Sequence, residues 1–274
     1  MLDRLKKITA AARAPNQQPQ YFDMTQRVEA LTYVGVGGKQ WYPPLMLSAN
    51  AIGERAVAHQ HAAEALHLVR SLEADDYCRY LVGYYEEGLK RFGERWRYAD
   101  IVTVLLALSE VLKPQSYLEI GVRRGRSVCA VASKAPRCDM YMFDMWVANY
   151  AGMDNPGPDL VVSELGKFGH SGTREFHDGN SHETLKRFFG ENNALAFDLI
   201  TVDGDHSFNG AVEDLCDVLP RLKIGGAVVF DDICHPKHMY LLDVWQALVV
   251  QDPRFSSWTC NDIGYGVGFA LRKW

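Results

Sequence analysis

From residue 116 onwards the chain alternates short apolar runs with longer helical patterns, and five of these runs carry an acid at or next to their end. Apolar runs without polar alternation are typical of strands that are buried on both faces. Strands that alternate with helices predict an α/β fold with a doubly wound, mostly parallel sheet. The five runs read SYLEIG, MYMFD, REFHD, FDLITVD and AVVFDD, and the closing segments SSWTC and GYGVGFALRK predict two more strands, the last of them antiparallel.

Polar residues and glycines follow the predicted strands at the points where they end. Because right-handed crossovers place the carboxyl ends of parallel strands at one edge, where open α/β sheets bind ligands, we expect a functional site there. The residues expected at that edge are Glu119, Gly121, Asp144, Asp178, Asn180, Ser181, Asp203, Asp205, His206, Asp231 and Asp232. Asp and Asn also favour helix caps and turns, so a structural role for part of this set stays open.

The segment YLEIGVRRGRS predicts a strand, a glycine turn and the start of a helix. It is not the dinucleotide fingerprint G-x-G-x-x-G, because Arg123 and Arg126 occupy two of the glycine positions, and this disfavours NAD. Glu119 precedes Gly121 by two residues and favours a cationic ligand without phosphates, since a carboxylate would repel a pyrophosphate. The alternative is that Gly121 and Gly125 serve only the turn.

Two further strand ends fit a nucleoside. Asp144 lies 23 positions after Gly121, close to the spacing at which an acid accepts hydrogen bonds from ribose hydroxyls. The stretch Asp178–Ser181 follows the next strand and offers side chains and backbone groups to an adenine edge. An equally open alternative is that Ser181 caps the following helix.

The LEIGVRRG turn, the acid of MYMFD, and the pair FDLITVDGDHS with LKIGGAVVFDD together resemble the class I S-adenosylmethionine-dependent methyltransferases. They are most similar to the metal-dependent small-molecule O-methyltransferases of the macrocin and catechol types, over about residues 110 to 272. The resemblance implies a Rossmann-like sheet, a natural-product hydroxyl (sugar, polyketide or macrolide, or phenolic) as the methyl acceptor, and S-adenosylmethionine as the donor. The residues implied to hold the donor are Glu119, Gly121, Gly125, Ser127, Asp144, Asp178, Asn180 and Ser181.

Three carboxylates end two strands that we expect to be neighbours: Asp203 after one, and Asp231 and Asp232 after the next. Adjacent strands lie about 4.8 Å apart, so these groups can converge. Three anions in one pocket need a cation or raised pKa values. A hard divalent ion, above all Mg²⁺, fits oxygen ligands, and the metal-dependent family has the same arrangement. Capping of a turn and of the next helix is the structural alternative.

His206 follows Asp203 by three residues, where the catechol-type enzymes carry a lysine that accepts the substrate's proton. An imidazole is a competent general base near neutral pH, so His206 is our first candidate for that role. Asp203 is the alternative base, and helix capping is the structural alternative. A structural role at the helix entrance is favoured for Asp205, and His235 and His238 could contact substrate or metal.

Composition limits the partners. The 274 residues carry a net charge of −5, which attracts neither nucleic acid nor an anionic membrane. Six cysteines without a C-x-x-C pair, and the absence of a secretory signal pattern, predict a reduced cytoplasmic protein.

We expect two regions, a helical cap or substrate lid over residues 1–97 and the methyltransferase domain over 98–274. Aromatic residues in the insert at 146–159 are candidates for a lid, and homo-oligomers through the N-terminal helices are a further expectation. Two alternatives to the O-methyltransferase stay open at this point. One is a metal-independent N-methyltransferase or hydroxylase-like relative, and the other is a partner subunit of the same fold without turnover.

Overall fold

The computed structural model describes residues 33–34, 40–41, 45–149, 152 and 154–274. Its main feature is a seven-stranded sheet, built from strands that the apolar runs predicted. In chain order these are β3 (Ser116–Ile120), β4 (Asp139–Asp144), β5 (Arg174–Asp178), β6 (Phe197–Val202), β7 (Leu222–Asp231), β8 (Phe255–Cys260) and β9 (Val267–Arg272). Two short strands, β1 (Tyr33–Val34) and β2 (Gln40–Trp41), pair antiparallel outside this sheet.

The strands lie in the order β5-β4-β3-β6-β7-β9-β8. Strands β3 to β7 pair parallel, whereas β9 runs antiparallel between β7 and β8. The chain adds β4 and β5 on one side of β3 and then returns to add β6 on the other side. The predicted α/β fold is confirmed, and the direction of winding changes between β3 and β6, which is where ligands bind in such sheets.

Helices cover both faces of the sheet. They are α1 (Ala49–Ala56), α2 (His59–Ser71), α3 (Asp76–Phe92), α4 (Ile101–Leu112), α5 (Arg126–Lys134), α6 (Pro158–Lys167), α7 (Ser181–Glu191), α8 (Phe208–Val218) and α9 (Tyr240–Trp245), which a π-helical turn extends to Val250. Buried residues of α1 to α6 pack on one face, and those of α7 to α9 pack on the other. Alternate residues of a strand separate accordingly, because their side chains leave opposite faces: Tyr117 faces the first layer and Leu118 the second.

Helix α4 is almost entirely apolar, as its sequence predicted for a buried packing helix, and it is buried from Val102 to Ser109. Asp100 begins it with a capping box, in which the Asp100 side chain accepts from the Thr103 amide and the Thr103 hydroxyl accepts from the Asp100 amide. The buried residues of α1, α2 and α4 belong to one core cluster, so these helices form part of the layer that covers the first face of the sheet. The boundary that we place at residues 97 and 98 stays a prediction.

The helical pattern at 46–73 folds as two helices, because the chain leaves the helix at Val57 and starts again after Ala58, which is in an extended conformation. The polar stretch between β4 and β5 contains α6. Its start is marked by Pro158 at the first helical position, and Val161 and Leu165 are buried one helical turn apart.

All six cysteines are free thiols, and four of them, Cys78, Cys129, Cys138 and Cys260, are buried as core residues. Among the described helices, none is long and apolar enough to cross a bilayer.

Candidate functional site

A cavity of about 660 Å³ opens at the carboxyl edge of the sheet, beside the strands where the direction of winding changes. Its wall brings together most of the predicted site residues. Those that line it are Gly121, Ser127, Asp144, Asn180, Ser181, Asp203, Asp205, His206, Asp231 and Asp232. Glu119, Gly125 and Asp178 are the predicted residues that do not line it, and Asp178 faces a smaller pocket near α7 instead.

The glycine turn between β3 and α5 has the conformation that its sequence predicted. Gly121 has a φ of +88° and Gly125 a φ of +78°, in the left-handed region that favours glycine. The Gly121 amide donates to the Phe143 carbonyl at 2.9 Å, and the Asp203 amide donates to the Ile120 carbonyl at 2.9 Å. These bonds hold the turn against β4 on one side and against the end of β6 on the other.

Glu119 lies beneath the turn and is completely buried. Its carboxylate accepts hydrogen bonds from the Ser127 and Tyr117 hydroxyls. Burial raises the pKa of Glu119 to about 8, with added effect from the charges of Asp203 and Asp144, although the two hydroxyl hydrogen bonds lower it. The structure thus places Glu119 behind Ser127, outside the residues that line the cavity, and its role toward a cofactor stays a prediction.

Asp144 ends β4 and lines the cavity as predicted. Its two carboxylate oxygens accept from the backbone amides of Arg123 and Trp146, each at 2.7 Å. An ionised carboxylate has about four acceptor positions, so both oxygens keep lone pairs for a ligand. The amides fix the carboxylate in one orientation at the mouth of the glycine turn.

In the turn after β5, Asn180 and not Ser181 caps the following helix. Asn180 is the N-cap of α7, and its side-chain oxygen accepts from the His182 amide at 3.1 Å. Ser181 is the first helical residue, and its hydroxyl donates to the buried Asp214 carboxylate at 2.8 Å. No local motif points to this partner, because Asp214 lies on α8, far along the chain.

Three groups at the ends of β6 and β7 converge on one point. Among the described residues, the side chains of Asp203, His206 and Asp232 offer ligand atoms that all lie within 4.8 Å of one another. The His206 Nε2 atom is 3.3 Å from Asp203 Oδ1 and 3.7 Å from Asp232 Oδ2. Two of the three predicted metal ligands, Asp203 and Asp232, are in this close group together with His206, and Asp231 lines the same cavity, so the ligand set stays a prediction.

The backbone explains why Asp232 joins this cluster. Asp232 follows the last residue of β7 and has a φ of +56°, a left-handed conformation that Asp adopts more readily than most residues. Burial and the charge of Asp203 raise the pKa of Asp232 to about 7, whereas His206 lowers it. Burial likewise raises the pKa of Asp231 well above its usual range, with the charges of Asp203 and Asp232 adding to the effect.

His206 supplies positive charge to the cluster. Burial lowers its pKa, but the hydrogen bond and charge of Asp203, together with the charges of Asp232 and Asp205, outweigh burial, and the pKa is raised. Asp205 itself turns away to the start of α8, where it accepts from the Ser207 amide at 2.8 Å and the Ser207 hydroxyl at 3.0 Å.

His235 and His238, on the loop after β7, also line the cavity. The His206 and His238 ring centres are 5.5 Å apart, and those of His235 and His238 are 5.0 Å apart. Tyr240 connects this loop to the cluster, since its hydroxyl donates to the His206 carbonyl at 2.6 Å and contacts His238 Nδ1 at 3.0 Å.

Sequence reasoning missed the cavity residues that come from the first hundred positions. Tyr77, Leu81, Tyr98 and Asp100 line the cavity from α3 and from the start of α4. The Arg126 guanidinium lies 4.5 Å from the centre of the Tyr77 ring, a cation–π contact. No local motif marks these residues, because only the packing of α3 beside the glycine turn brings them to the site.

Known proteins resemble this chain in part of its sequence and in its fold. Residues 118–233 match a family model described as "Methyltransferase domain". One similar structure is the O-methyltransferase TomG from Streptomyces achromogenes, which is involved in tomaymycin synthesis and was solved in complex with S-adenosylmethionine. It is 18% identical to this chain, and the match covers 74% of this chain and 92% of that chain with a TM-score of 0.51. A Klebsiella pneumoniae protein, provisionally assigned as an O-methyltransferase, is 16% identical over 84% of this chain and 93% of that chain, with a TM-score of 0.51. No curated protein sequence matches the chain.

These two likenesses show the fold. The family match shows the class of activity, and it spans every residue from Glu119 to Asp232 that the motifs singled out. The predicted class is confirmed: the chain is a methyltransferase with the class I S-adenosylmethionine-dependent fold.

Proposed function

We propose that this methyltransferase transfers the methyl group of S-adenosylmethionine to a hydroxyl of a small molecule, with the assistance of a divalent cation. The observation that carries the proposal is one cavity with two kinds of wall. The glycine turn and Asp144 form one side, and the cluster of Asp203, His206 and Asp232 forms the other. A methyl donor and a hydroxyl acceptor would therefore meet within a single enclosed space.

The residues at the first side fit S-adenosylmethionine. The backbone approaches the cavity at Gly121, Ser127 borders it, and Asp144 presents a fixed carboxylate suited to ribose hydroxyls. Asn180 and Ser181 line the same cavity, and we assign them to the adenine edge. Glu119 and Gly125 would act indirectly. Glu119 fixes the Ser127 hydroxyl by a hydrogen bond, and Gly125 is the N-cap of α5. Bound at this side, S-adenosylmethionine would supply an electrophilic methyl group.

The second side fits a divalent cation. Two carboxylates and an imidazole are held close together. Burial, and then the charge of Asp203, raise the pKa of Asp232, so a cation bound there would stabilise its ionised form. Asp203 and Asp232 suit Mg²⁺ or Mn²⁺, whereas the imidazole also suits Zn²⁺, so the metal itself has to be measured. Such an ion would lower the pKa of an acceptor hydroxyl.

Proton removal falls to the pair Asp203 and His206, which are hydrogen-bonded at 3.3 Å. The same His206 nitrogen, Nε2, faces both carboxylates, so it either takes the proton or serves as a ligand. In the first case Nε2 takes the substrate's proton while the imidazole is neutral, and the protonated Nε2 then donates to the Asp203 carboxylate, which stabilises the charged ring. In the second case the free carboxylate oxygen of Asp203 is the base.

The cavity favours an acceptor with a ring. Tyr77, Tyr98 and Tyr265 lie in its wall, and aromatic side chains pack favourably against phenolic rings and the apolar faces of sugars. We infer a phenolic, sugar or polyketide hydroxyl as the acceptor, ideally with a second oxygen beside it for the cation.

The first experiment measures thermal stability with S-adenosylmethionine or S-adenosylhomocysteine, each with Mg²⁺, Mn²⁺, Zn²⁺ or EDTA. A ligand at 100 times its Kd adds about 2.7 kcal/mol to the free energy of unfolding, which a melting curve detects. We expect the nucleoside to stabilise the protein and a metal to add a further increment. If no combination moves the melting temperature, the proposal is wrong.

The second experiment identifies the acceptor. Catechols, monophenols and sugars with vicinal hydroxyls are screened for release of S-adenosylhomocysteine, with the Asp203→Asn variant as the control. Turnover that survives EDTA and the substitution would overturn the role of the metal but not that of the cofactor.

A further inference from the structure

Arg124 connects the glycine turn to two segments that lie far from it in the chain. Its side chain is 4% exposed and points toward three carboxylates. The Nη2 atom is 3.1 Å from Glu73 Oε1, Nε is 3.5 Å from Asp75 Oδ2, and Nη1 is 3.0 Å from Asp154 Oδ2. Glu73 and Asp75 precede α3, whereas Asp154 belongs to the insert between β4 and α6.

Both segments contribute walls to the cavity. The Asp75 carboxylate caps α3 by accepting from the Cys78 amide, and the first turns of α3 carry Tyr77 and Leu81 into the wall. In the insert, Asn155 follows Asp154 and lines the cavity as well. The neighbour of Arg124 in the turn, Arg123, donates its amide to Asp144. The Arg124 guanidinium therefore contacts the start of α3 and the insert, which both contribute to the cavity wall. Arg124 itself belongs to the glycine turn that would hold the cofactor.

The chemistry of arginine suits this connection. Its planar fork presents five donors in fixed directions, so one side chain can serve three carboxylates that approach from different sides. Two of these carboxylates are largely exposed, Glu73 at 62% and Asp154 at 70%. The guanidinium is buried, but these two carboxylates stay hydrated when they leave it and Asp75 remains beside it, so both contacts can open without leaving an isolated buried charge.

We propose that Arg124 is a positioning residue through which the occupied glycine turn orders the two walls that face the acceptor. The inference rests on the proposed binding of S-adenosylmethionine at this turn. A ligand that fixes the turn fixes the guanidinium, and the guanidinium then holds Asp154 and Glu73 in place. When the cofactor orders the walls that the acceptor contacts, the acceptor no longer has to order them itself. The binding of the cofactor and that of the acceptor are then positively coupled.

Hydrogen–deuterium exchange on the full chain tests this inference, with S-adenosylhomocysteine as the probe. Calorimetry first establishes that the probe binds the wild type. We then expect the bound probe to slow exchange at least about fivefold in peptides that contain residues 73–78 and 154–157. Absence of binding would overturn the proposed function, and the inference with it. Binding without slower exchange in these peptides would overturn the inference alone.

Single substitutions separate the two contacts. In Asp154→Asn the slowing should disappear at 154–157 and persist at 73–78, whereas Glu73→Gln should weaken it at 73–78 only. The probe's Kd should change less than about threefold in both. Arg124→Lys keeps the charge, but a single ammonium cannot reach all three partners, so the slowing should be lost at both segments.

The matched control is Glu86→Gln, which removes an exposed ion pair to Arg70 between α2 and α3 without touching the cavity. It should behave as the wild type does. If Arg124→Lys and Asp154→Asn keep the full slowing at 154–157, Arg124 has a structural role only and the inference is wrong.

Discussion

A Cβ atom built on Gly121 would lie 1.8 Å from the carbonyl oxygen of Asp203. The glycine turn and the end of β6 are therefore in direct backbone contact, and no side chain fits between them. Gly121, which we expect beside the cofactor, and Asp203, which we expect beside the metal, are therefore held at a fixed separation. This contact sets how close a donor methyl group and an acceptor hydroxyl would come.

Gly121→Ala should destabilise the protein by about 3 kcal/mol or more. A left-handed conformation costs alanine about 1–2 kcal/mol, and overpacking typically adds about 1–3 kcal/mol. Urea denaturation of the two proteins gives the difference. The control is Gly83→Ala in the interior of α3, where a Cβ meets nothing within 4 Å. That variant should be more stable than the wild type by about 0.5–1 kcal/mol. Equal stability of Gly121→Ala and wild type would contradict the contact.

Asp144→Asn should weaken the binding of S-adenosylhomocysteine by about tenfold or more, because the ribose hydroxyls would lose a charged acceptor. Asp178→Asn should change the same Kd by less than about threefold, since Asp178 lies outside the main cavity. Calorimetric titration of both variants measures this. An equal loss in the two variants would place the nucleoside differently from our proposal.

Divalent metal binding should depend on the cluster and not on Asp205. Asp232→Asn and His206→Ala should each weaken the binding of Mn²⁺, followed by electron paramagnetic resonance, by about tenfold or more. Asp205→Asn is the control, because its side chain bonds to Ser207 and not to the cluster. Retention of full affinity by Asp232→Asn would refute the assignment of this residue as a ligand. A loss in Asp231→Asn as large as that in Asp232→Asn would restore Asp231 to the ligand set predicted from the sequence.

Stability should fall as the pH rises, because of Glu119. Burial raises the pKa of this carboxyl from its ordinary value of 4.5 to about 8 in the folded protein. The folded state thus binds more protons than the unfolded state between these two values. The free energy of unfolding should decrease across that interval, by up to about 1.4 kcal/mol per pH unit, and level off above pH 8.

Glu119→Gln should remove this contribution to the slope, because an amide does not titrate and can still bond to the Ser127 and Tyr117 hydroxyls. Urea denaturation in EDTA at pH 5.5, 7 and 8.5 compares the variant with the wild type and with Glu86→Gln, which keeps the buried carboxyl. The prediction fails if wild type and Glu119→Gln show the same dependence of stability on pH.

The strands and the acids at their ends were predictable because both are local in the sequence. An apolar run such as FDLITV has to be buried on both faces, and the chain direction then fixes that Asp203 follows at the carboxyl edge. The positive φ of Gly121 was equally predictable, since its turn must pass close to a neighbouring strand.

Which groups finally meet was decided by the tertiary structure. The pattern determined that Asp203, Asp231 and Asp232 share one edge of the sheet, but the left-handed backbone at Asp232 directs that carboxylate toward Asp203 and His206. Tyr77 reaches the cavity, and the carboxylate partners of Arg124 reach its guanidinium, only through the packing of α3 and the insert on the glycine turn. Sequence patterns record local conformation and burial, whereas contacts between segments far apart in the chain depend on how whole elements pack.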